Sequence, residues 1–215
     1  SIFEADGKEM SQSKPGDPSV TLTRMNVDID SLTADDLVIT DVKASAVQGQ
    51  PGKWHIVVNS DQIVGSANWD LSGGNLGSVS ARFSKMHIPG KSSDRIKTLL
   101  ESSKKAALPS ISASVQEFQY GDIPVGAVRI DAKNVITDQG PLCRINSLTV
   151  TNNAGSLKAA GNWRSKSDTN VTTLQAQADI RDTGRLLSSM GIKDAISGAS
   201  GKGSLEISWQ SVKLR

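Results

Sequence analysis

Apolar and polar residues alternate one by one in short runs along most of this chain. Clear examples are Val79–Phe83, Val128–Ala132 and Leu174–Ala178. Because successive side chains of a β-strand point to opposite faces, this period of two predicts strands with one apolar and one polar face. Gly, Asn and Asp separate the runs and are typical of the turns between antiparallel strands. The pattern therefore predicts a mainly β chain arranged as a meander.

The stretch 155–209 contains a unit whose parts recur earlier in the chain. Two alternating strands, a short helical segment and a third alternating strand ending in Trp209 follow one another there. The residues GSANW at 65–69 echo AGNW at 160–163, and 32–42 aligns with 118–128 without a gap. A period of roughly 90 residues predicts a repeated β element that extends a sheet.

Two helices are predicted to interrupt the strands. The longer one covers Ser93–Ala107, with Ser93 as its cap and an apolar stripe that includes Ile96, Leu99 and Leu100. Such a stripe must lie on an apolar surface, so we expect this helix to cap or gate one end of the sheet. The shorter helix begins at Asp182 and covers 182–189.

The same signals divide the chain into four parts. Residues 1–19 are polar and are expected to form a flexible lead-in. Residues 20–90 are expected to form a first β repeat, with its first strand at Val20–Ile29. The helical insertion is placed at 91–108, and a second β repeat with the short helix and the terminal strand at 109–215.

Charge and length exclude several classes of protein. The chain has 215 residues and a formal net charge of +2, which gives no strong attraction to nucleic acid. Its single cysteine excludes an internal disulfide, and no apolar run is long enough to span a bilayer as a helix. The chain starts without a signal-peptide pattern, so we expect a piece of a longer protein, with any anchor or export signal outside it.

Catalytic chemistry finds little support in the sequence. His55 and His87 are expected to be solvated surface residues, and Cys143 is expected to pack as a small hydrophobe. The run 198–204 resembles a phosphate-binding loop, but Ile196 and Gly203 break the required pattern. We therefore expect no enzyme activity, no catalytic residue, no cofactor and no metal.

A group of acidic residues near the start of the chain is the remaining polar candidate. Asp28, Asp30, Asp35 and Asp36 lack the spacing of a calcium-binding loop. They are interpreted as a solvated strand edge, with a calcium contact as the less favoured alternative.

Three tryptophans end alternating strands at comparable points of the repeat: Trp69, Trp163 and Trp209. They can be core residues that close the end of a sheet, or they can stand at the lip of an apolar cavity. The sequence alone leaves both interpretations open.

The apolar faces are built mostly from Ala, Val, Ile and Leu, and aromatic residues make up only 4% of the chain. Such faces can close on each other as an ordinary packed core, or they can leave a channel wide enough for an acyl chain. In the second case the lining would be formed by Val42, Ala44, Ala46, Ile56, Val58, Val79, Ala81, Phe83, Val128, Ile130, Ala132, Leu157, Ala159, Leu174, Ala176, Ala178, Leu205 and Ile207.

Several segments together resemble the carboxy-terminal part of the YhdP-like proteins of the AsmA-like superfamily. The segments are 108–132, 155–163, 172–192 and 196–209, and 86–111 matches the helical insertion that precedes them. Their combination is more specific than any one of them, because it keeps the order of parts and the final strand-ending tryptophan.

The resemblance implies a bridge-like lipid-transfer protein of Gram-negative bacteria, anchored in the inner membrane and spanning the periplasm. Its implied fold is a long, curved antiparallel meander that forms an open, taco-like β-groove, with one or two short helices. Phospholipid acyl chains would slide passively along the groove toward the outer membrane, and an outer-membrane or periplasmic protein is a possible partner. The alternative is a structural or adhesive β-repeat module with a closed core; a hydrolase has no motif to support it.

Overall fold

Eleven β-strands account for most of the part of the chain that the structure describes. The computed structural model describes residues 22–34, 37–73, 77–89, 109–138, 140–165, 169–182, 184 and 199–212. Both predicted helices lie largely outside these residues. The strands are β1 Arg24–Ala34, β2 Leu37–Gln50, β3 Lys53–Asn59, β4 Ile63–Asp70, β5 Ser78–Ile88, β6 Ser110–Tyr120, β7 Ile123–Thr137, β8 Gly140–Asn152, β9 Gly155–Ser165, β10 Thr169–Ile180 and β11 Gly201–Val212.

All eleven strands belong to one sheet, in which their spatial order is the same as their order in the sequence. Of the ten neighbouring pairs, nine are antiparallel. The sheet stays open, with β1 and β11 at its two edges. The predicted mainly β meander is therefore confirmed, although its first strand begins at Arg24 rather than Val20.

The one parallel pair is β5–β6, which the alternating pattern did not predict. Ser78 lies opposite Ser110, and Ile88 lies opposite Tyr120. Parallel neighbours need a crossover of a dozen or more residues, whereas antiparallel neighbours need only a tight turn. The chain between Ile88 and Ser110 has the length for such a crossover, so both strands begin at the same end of the sheet.

The start of β2 departs from regular strand geometry at Asp41, which has a positive φ of 50°. The turn between β3 and β4 supports the backbone of the preceding residue, Thr40. The Thr40 amide donates to Gln62 Oε1 at 2.9 Å, and the Thr40 carbonyl accepts from the Asp61 amide at 3.1 Å. These two hydrogen bonds hold the backbone next to Asp41 against the β3–β4 turn.

The internal repeat noted in the sequence corresponds to a shift of five strands. Residues 32–42 span the β1–β2 hairpin, and 118–128 span the β6–β7 hairpin. Trp69 lies in β4 and Trp163 in β9, again five strands apart.

A matched irregularity runs through β5 and β6. The pairing of β5 with β4 shifts between Val64 and Gly65, and the pairing of β6 with β7 shifts just after Val115. No shift occurs between β5 and β6 themselves. Each of these two strands therefore carries an extra residue at the same level, Ser84 in β5 and Gln116 in β6.

Few of the described side chains are buried, and most of those are small. The buried apolar residues are Val42, Ala46, Ala81, Ala132, Leu142, Ala154 and Ala159. Among the described residues, no side chain falls below 2% exposure. A sandwich of this size would enclose large side chains between its layers, so the described part of the chain has the burial of a single open sheet.

Candidate functional site: an apolar face across eleven strands

Pairing between neighbouring strands sorts the residues into rows that run across the sheet. Directly opposed residues project to the same face, so each row can be followed from strand to strand. The middle row has one residue from each strand and no polar side chain: Met25, Ala46, Ile56, Ala67, Ala81, Ala113, Ile130, Leu148, Ala159, Ala176 and Leu205.

The two rows flanking the middle one are also apolar along most of their length. One crosses all eleven strands: Val27, Ala44, Val58, Gly65, Phe83, Val115, Val128, Val150, Leu157, Ala178 and Gly203. The other starts in β2: Gln48, Trp54, Trp69, Val79, Ile111, Ala132, Ile145, Gly161, Leu174 and Ile207. These three rows together are called the apolar face below.

The opposite face of the sheet is polar. Its corresponding row, from β4 to β11, consists of Ser66, Arg82, Ser114, Arg129, Thr149, Lys158, Gln177 and Ser204. In β3 the residues of the apolar face are half-buried, and those of the polar face are exposed. The two faces therefore differ in chemistry, and in β3 they also differ in exposure.

Of the eighteen residues predicted to line the channel, seventeen lie on the apolar face. Val42 lies on the same side of the sheet, one row further toward the β1–β2 hairpin. The register brings them together, but whether they contact a lipid stays a prediction. The gate residues Ile96, Leu99 and Leu100 lie outside the described residues.

The sequence prediction missed further residues of this side of the sheet. Ile111, Ala113 and Val115 supply one β6 residue to each of the three rows, and Leu148 and Val150 of β8 lie in two of them. Their alternation was visible in the sequence and could have identified them.

Met86 and Phe118 were missed for a different reason. They lie opposite each other on the same side of the sheet, but the extra residues Ser84 and Gln116 put them out of phase with the preceding alternation. Only the strand pairing reveals their position.

Two glycines let neighbouring strands approach beneath large side chains of this face. A Cβ placed on Gly65 would collide with the backbone of Arg82 and with the ring of Phe83, which lies opposite. A Cβ on Gly161 would collide with the Thr173 carbonyl and press on Leu174. Large and small residues therefore complement each other across the rows, which keeps the face continuous at these points.

The tryptophans concentrate along one border of the apolar face. Trp54 lies directly opposite Trp69, and Trp163 lies opposite Cys143. Trp209 pairs with Thr172, the same residue that pairs with Trp163 on the other side of β10. This border follows the hairpins β2–β3, β4–β5, β7–β8 and β9–β10 and is called the tryptophan rim.

The opposite border follows the hairpins β1–β2, β3–β4, β6–β7 and β8–β9 and is called the aliphatic rim. Ile63, Met86 and Phe118 lie along it. A cavity of about 260 Å³ opens where β7 to β10 reach this rim, and Val150, Leu157 and Ile180 contribute apolar side chains to it.

Polar side chains that were considered as candidate sites have ordinary partners. His55 is exposed as predicted, and its Nδ1 lies 2.8 Å from Asn68 Oδ1. The prediction for His87 was wrong, because this side chain is half-buried, with its Nε2 3.1 Å from the Gly121 carbonyl. Asp28 pairs with Lys43 at 3.5 Å, and the described residues contain no group of three side chains able to hold a metal ion.

Cys143 is half-buried within β8 at the tryptophan rim. Burial raises the pKa of its thiol, because a thiolate is less well solvated there than in water. The thiol is therefore neutral at physiological pH and has the character of a small apolar side chain.

The fold and its two unlike faces define a class: an open β-sheet with one continuous apolar surface across its strands. The chain belongs to the YhdP family, whose model, described as YhdP protein, matches residues 2–215. This membership confirms the resemblance drawn from the sequence and places the chain among the AsmA-like lipid-transport proteins, which are membrane-anchored proteins of bacteria.

Comparisons with curated proteins and with solved structures gave no significant match. Within the described residues, no helix is long and apolar enough to cross a membrane.

Proposed function

We propose that this chain carries phospholipid between membranes, with the acyl chains lying on the apolar face and the head groups in water. The observation that supports this function best is the unbroken middle row, which has an apolar residue in every one of the eleven strands. The YhdP family membership agrees with it.

The dimensions of the face suit this task. Strands in a sheet are about 4.8 Å apart, so eleven strands give a path of roughly 48 Å. Three rows side by side are wide enough for extended acyl chains. No charged residue interrupts these rows, so a sliding chain would meet no site where its transfer becomes costly.

Burial of acyl chains supplies the binding free energy without a polar anchor. Each buried CH₂ contributes about 0.8 kcal/mol. Because this contribution is nearly the same at every row position, a lipid can move from strand to strand with little change in free energy. The mechanism is therefore passive carriage, and no chemical step or cofactor is required.

The location and the partners are part of the same proposal. The chain would act in the periplasm, held to the inner membrane by a segment outside this sequence, and deliver lipid toward the outer membrane. An outer-membrane or periplasmic protein would receive it. The polar row with Arg82, Arg129 and Lys158 would face water.

The alternative of a structural module with a closed core gains no support from the described residues. A closed core requires the apolar faces to bury one another, whereas Leu157 of this face keeps 36% of its surface exposed. Lipid carriage is therefore the function that we test.

The test places a carboxylate in the path of the acyl chains. Ile130→Asp puts the charge in the middle row, whereas Arg129→Asp puts the same side chain on the polar face one residue earlier in β7. Burying an ionised carboxylate costs several kcal/mol, so Ile130→Asp should lower lipid retention by more than about tenfold. Native mass spectrometry of the purified chain measures the retained phospholipid, and lipid supply to the outer membrane is measured in cells that carry the full-length variant.

Arg129→Asp should keep both properties. Equal lipid retention and equal lipid supply in the two folded variants would contradict the assignment of the face. Leu174→Asp and Gln175→Asp form a second pair in β10. If both apolar-face variants fail to fold, a photo-crosslinking amino acid at position 130 should capture phospholipid and one at 129 should not.

A further inference from the structure

The two borders of the apolar face differ in chemistry in a way that lipid carriage alone does not require. At the tryptophan rim, Trp54, Trp69 and Trp163 are all half-buried, so each ring combines contact with the sheet and access to solvent. At the aliphatic rim, Ile63, Met86 and Phe118 occupy the same side of the sheet.

Tryptophan has a large apolar ring and a single N–H donor, and it favours boundaries where one end is apolar and the other is wet. In bilayers the same side chain concentrates at the level of the head groups for this reason. Three such rings along one border, none of them at the opposite one among the described residues, therefore mark a boundary between hydrocarbon and polar surroundings.

Polar side chains at the aliphatic rim serve the turns in which they lie. Ser60 Oγ donates to the Ile63 carbonyl at 3.0 Å and accepts from the Ile63 amide at 2.9 Å. Asn152 Oδ1 accepts from the Ala154 amide at 2.9 Å, and its Nδ2 donates to the Val125 carbonyl at 3.0 Å. These groups satisfy backbone atoms of tight turns. The border beside them carries aliphatic side chains, Phe118 and Tyr120, and the apolar cavity beside Val150 and Ile180.

The tryptophan rim is also flanked by charge. Lys53 Nζ lies 3.5 Å from Asp70 Oδ2, directly beside the Trp54–Trp69 pair in the same two strands. Both side chains are about half exposed, at 49% and 39%. Both residues alternate with the tryptophans and therefore lie on the polar face of the sheet. Asp28 and Lys43 form a similar pair near the opposite border, so it is the tryptophans, and not the charges, that distinguish the two borders.

From these observations we propose that the groove holds its lipids in one orientation, with glycerol and head group at the tryptophan rim and acyl chain ends toward the aliphatic rim. The inference rests on the proposed function, and it adds which border faces the head group. The indole N–H groups of Trp54 and Trp163 donate to ester or phosphate oxygens of the lipid, and the rings along this rim pack on the first methylenes of the chains.

Fluorescence quenching by brominated phospholipid tests the orientation. The chain is loaded with phosphatidylethanolamine whose acyl chains are brominated either near the ester end or near the methyl end. In variants that keep only Trp54 or only Trp163, with the other tryptophans replaced by phenylalanine, bromine near the ester end should quench roughly twofold more than bromine near the methyl end.

The matched control carries the probe at the other border. Phe118→Trp in a chain whose native tryptophans are all phenylalanine should give the reverse order of quenching. Phe83→Trp, in the row between the two borders, reports whether lipid occupies the face at all. If a single-tryptophan variant does not fold, the wild-type chain is measured in the same way. The average quenching of its four tryptophans should be stronger with bromine near the ester end.

The outcomes separate the two proposals. Suppose that Phe83→Trp is quenched, but that the same bromine position quenches more strongly at both borders. This result would overturn the proposed orientation and would leave lipid carriage supported. Absence of quenching at every position would overturn lipid carriage, and the orientation with it. Stronger quenching by ester-end bromine at the tryptophan rim, and by methyl-end bromine at the aliphatic rim, would support both proposals.

Discussion

Asp70 shows how a single side chain secures one hairpin of the tryptophan rim. It is the last residue of β4, and its carboxylate accepts from the Ser72 hydroxyl and, at 2.9 Å, from the Ser72 amide. The Ser72 hydroxyl, then the Ser72 amide, and to a smaller extent Lys53, hold the pKa of Asp70 below its ordinary value of 3.8. The carboxylate therefore favours the turned conformation when it is ionised.

Ser72→Ala should raise the pKa of Asp70 toward 3.8, because it removes the hydrogen bond with the largest effect. The contribution of Asp70 to stability is fully present above its unfolded pKa and is lost as the pH falls through the lower folded value. A carboxyl chemical-shift titration by NMR measures the change. Lys53→Met should raise the pKa less, and a larger effect from Lys53→Met than from Ser72→Ala would contradict this ranking.

At the scale of elements, the paired extra residues of β5 and β6 keep two strands in phase. Ser84 and Gln116 are both exposed, and the pairing of Val79–Phe83 with Ile111–Val115 continues beyond them as Met86 with Phe118. An extra residue in one strand alone would leave backbone groups of the other without their partners. The two irregularities therefore form one feature shared by both strands.

Deletion of Ser84 or of Gln116 alone should lower the free energy of unfolding by about 1–3 kcal/mol, because backbone groups of β5 and β6 lose their partners. Deletion of both should cost less than the sum of the single deletions, with a coupling of about 0.5–3 kcal/mol. Urea denaturation of the three variants measures the coupling. Additive losses would mean that the two irregularities are independent of each other.

At the scale of the whole molecule, the described sheet has a thin interior and a large apolar surface. Ala81, Ala132 and Ala159 are among its best buried residues, at 4–9% exposure. Small residues bury little apolar area, so the sheet itself gains less free energy from its interior than a sandwich of equal length would. A ligand that covers the apolar face should therefore add noticeably to stability.

Phospholipid at about 100 times its dissociation constant should stabilise the chain by about 2.7 kcal/mol by mass action. For a chain of this length that corresponds to a rise in Tm of roughly 5–10 °C. Differential scanning calorimetry with and without lipid measures it. Ile130→Asp should show a smaller rise than Arg129→Asp, and an unchanged Tm in the wild-type chain would contradict lipid binding.

Much of the sheet could be predicted because local pattern determines it. In Val128–Ala132 and Leu174–Ala178 the alternation alone fixes which side chains share a face, and the register agrees. The parallel β5–β6 pair could not be predicted, because alternation does not encode strand direction. Met86 and Phe118 were missed since one extra residue reverses the phase of the pattern, and His87 was misjudged because its partner Gly121 is 34 residues away.

The parallel step between β5 and β6 also has a consequence for the symmetry of the repeat. With five strands to a unit and antiparallel neighbours throughout, β6 would run opposite to β1, and equivalent residues of the two units would fall on opposite borders. Because β5 and β6 are parallel, β1 and β6 run in the same direction. Trp69 of one unit and Trp163 of the next consequently lie at the same border. A chain built this way can be lengthened unit by unit while each border keeps its own chemistry.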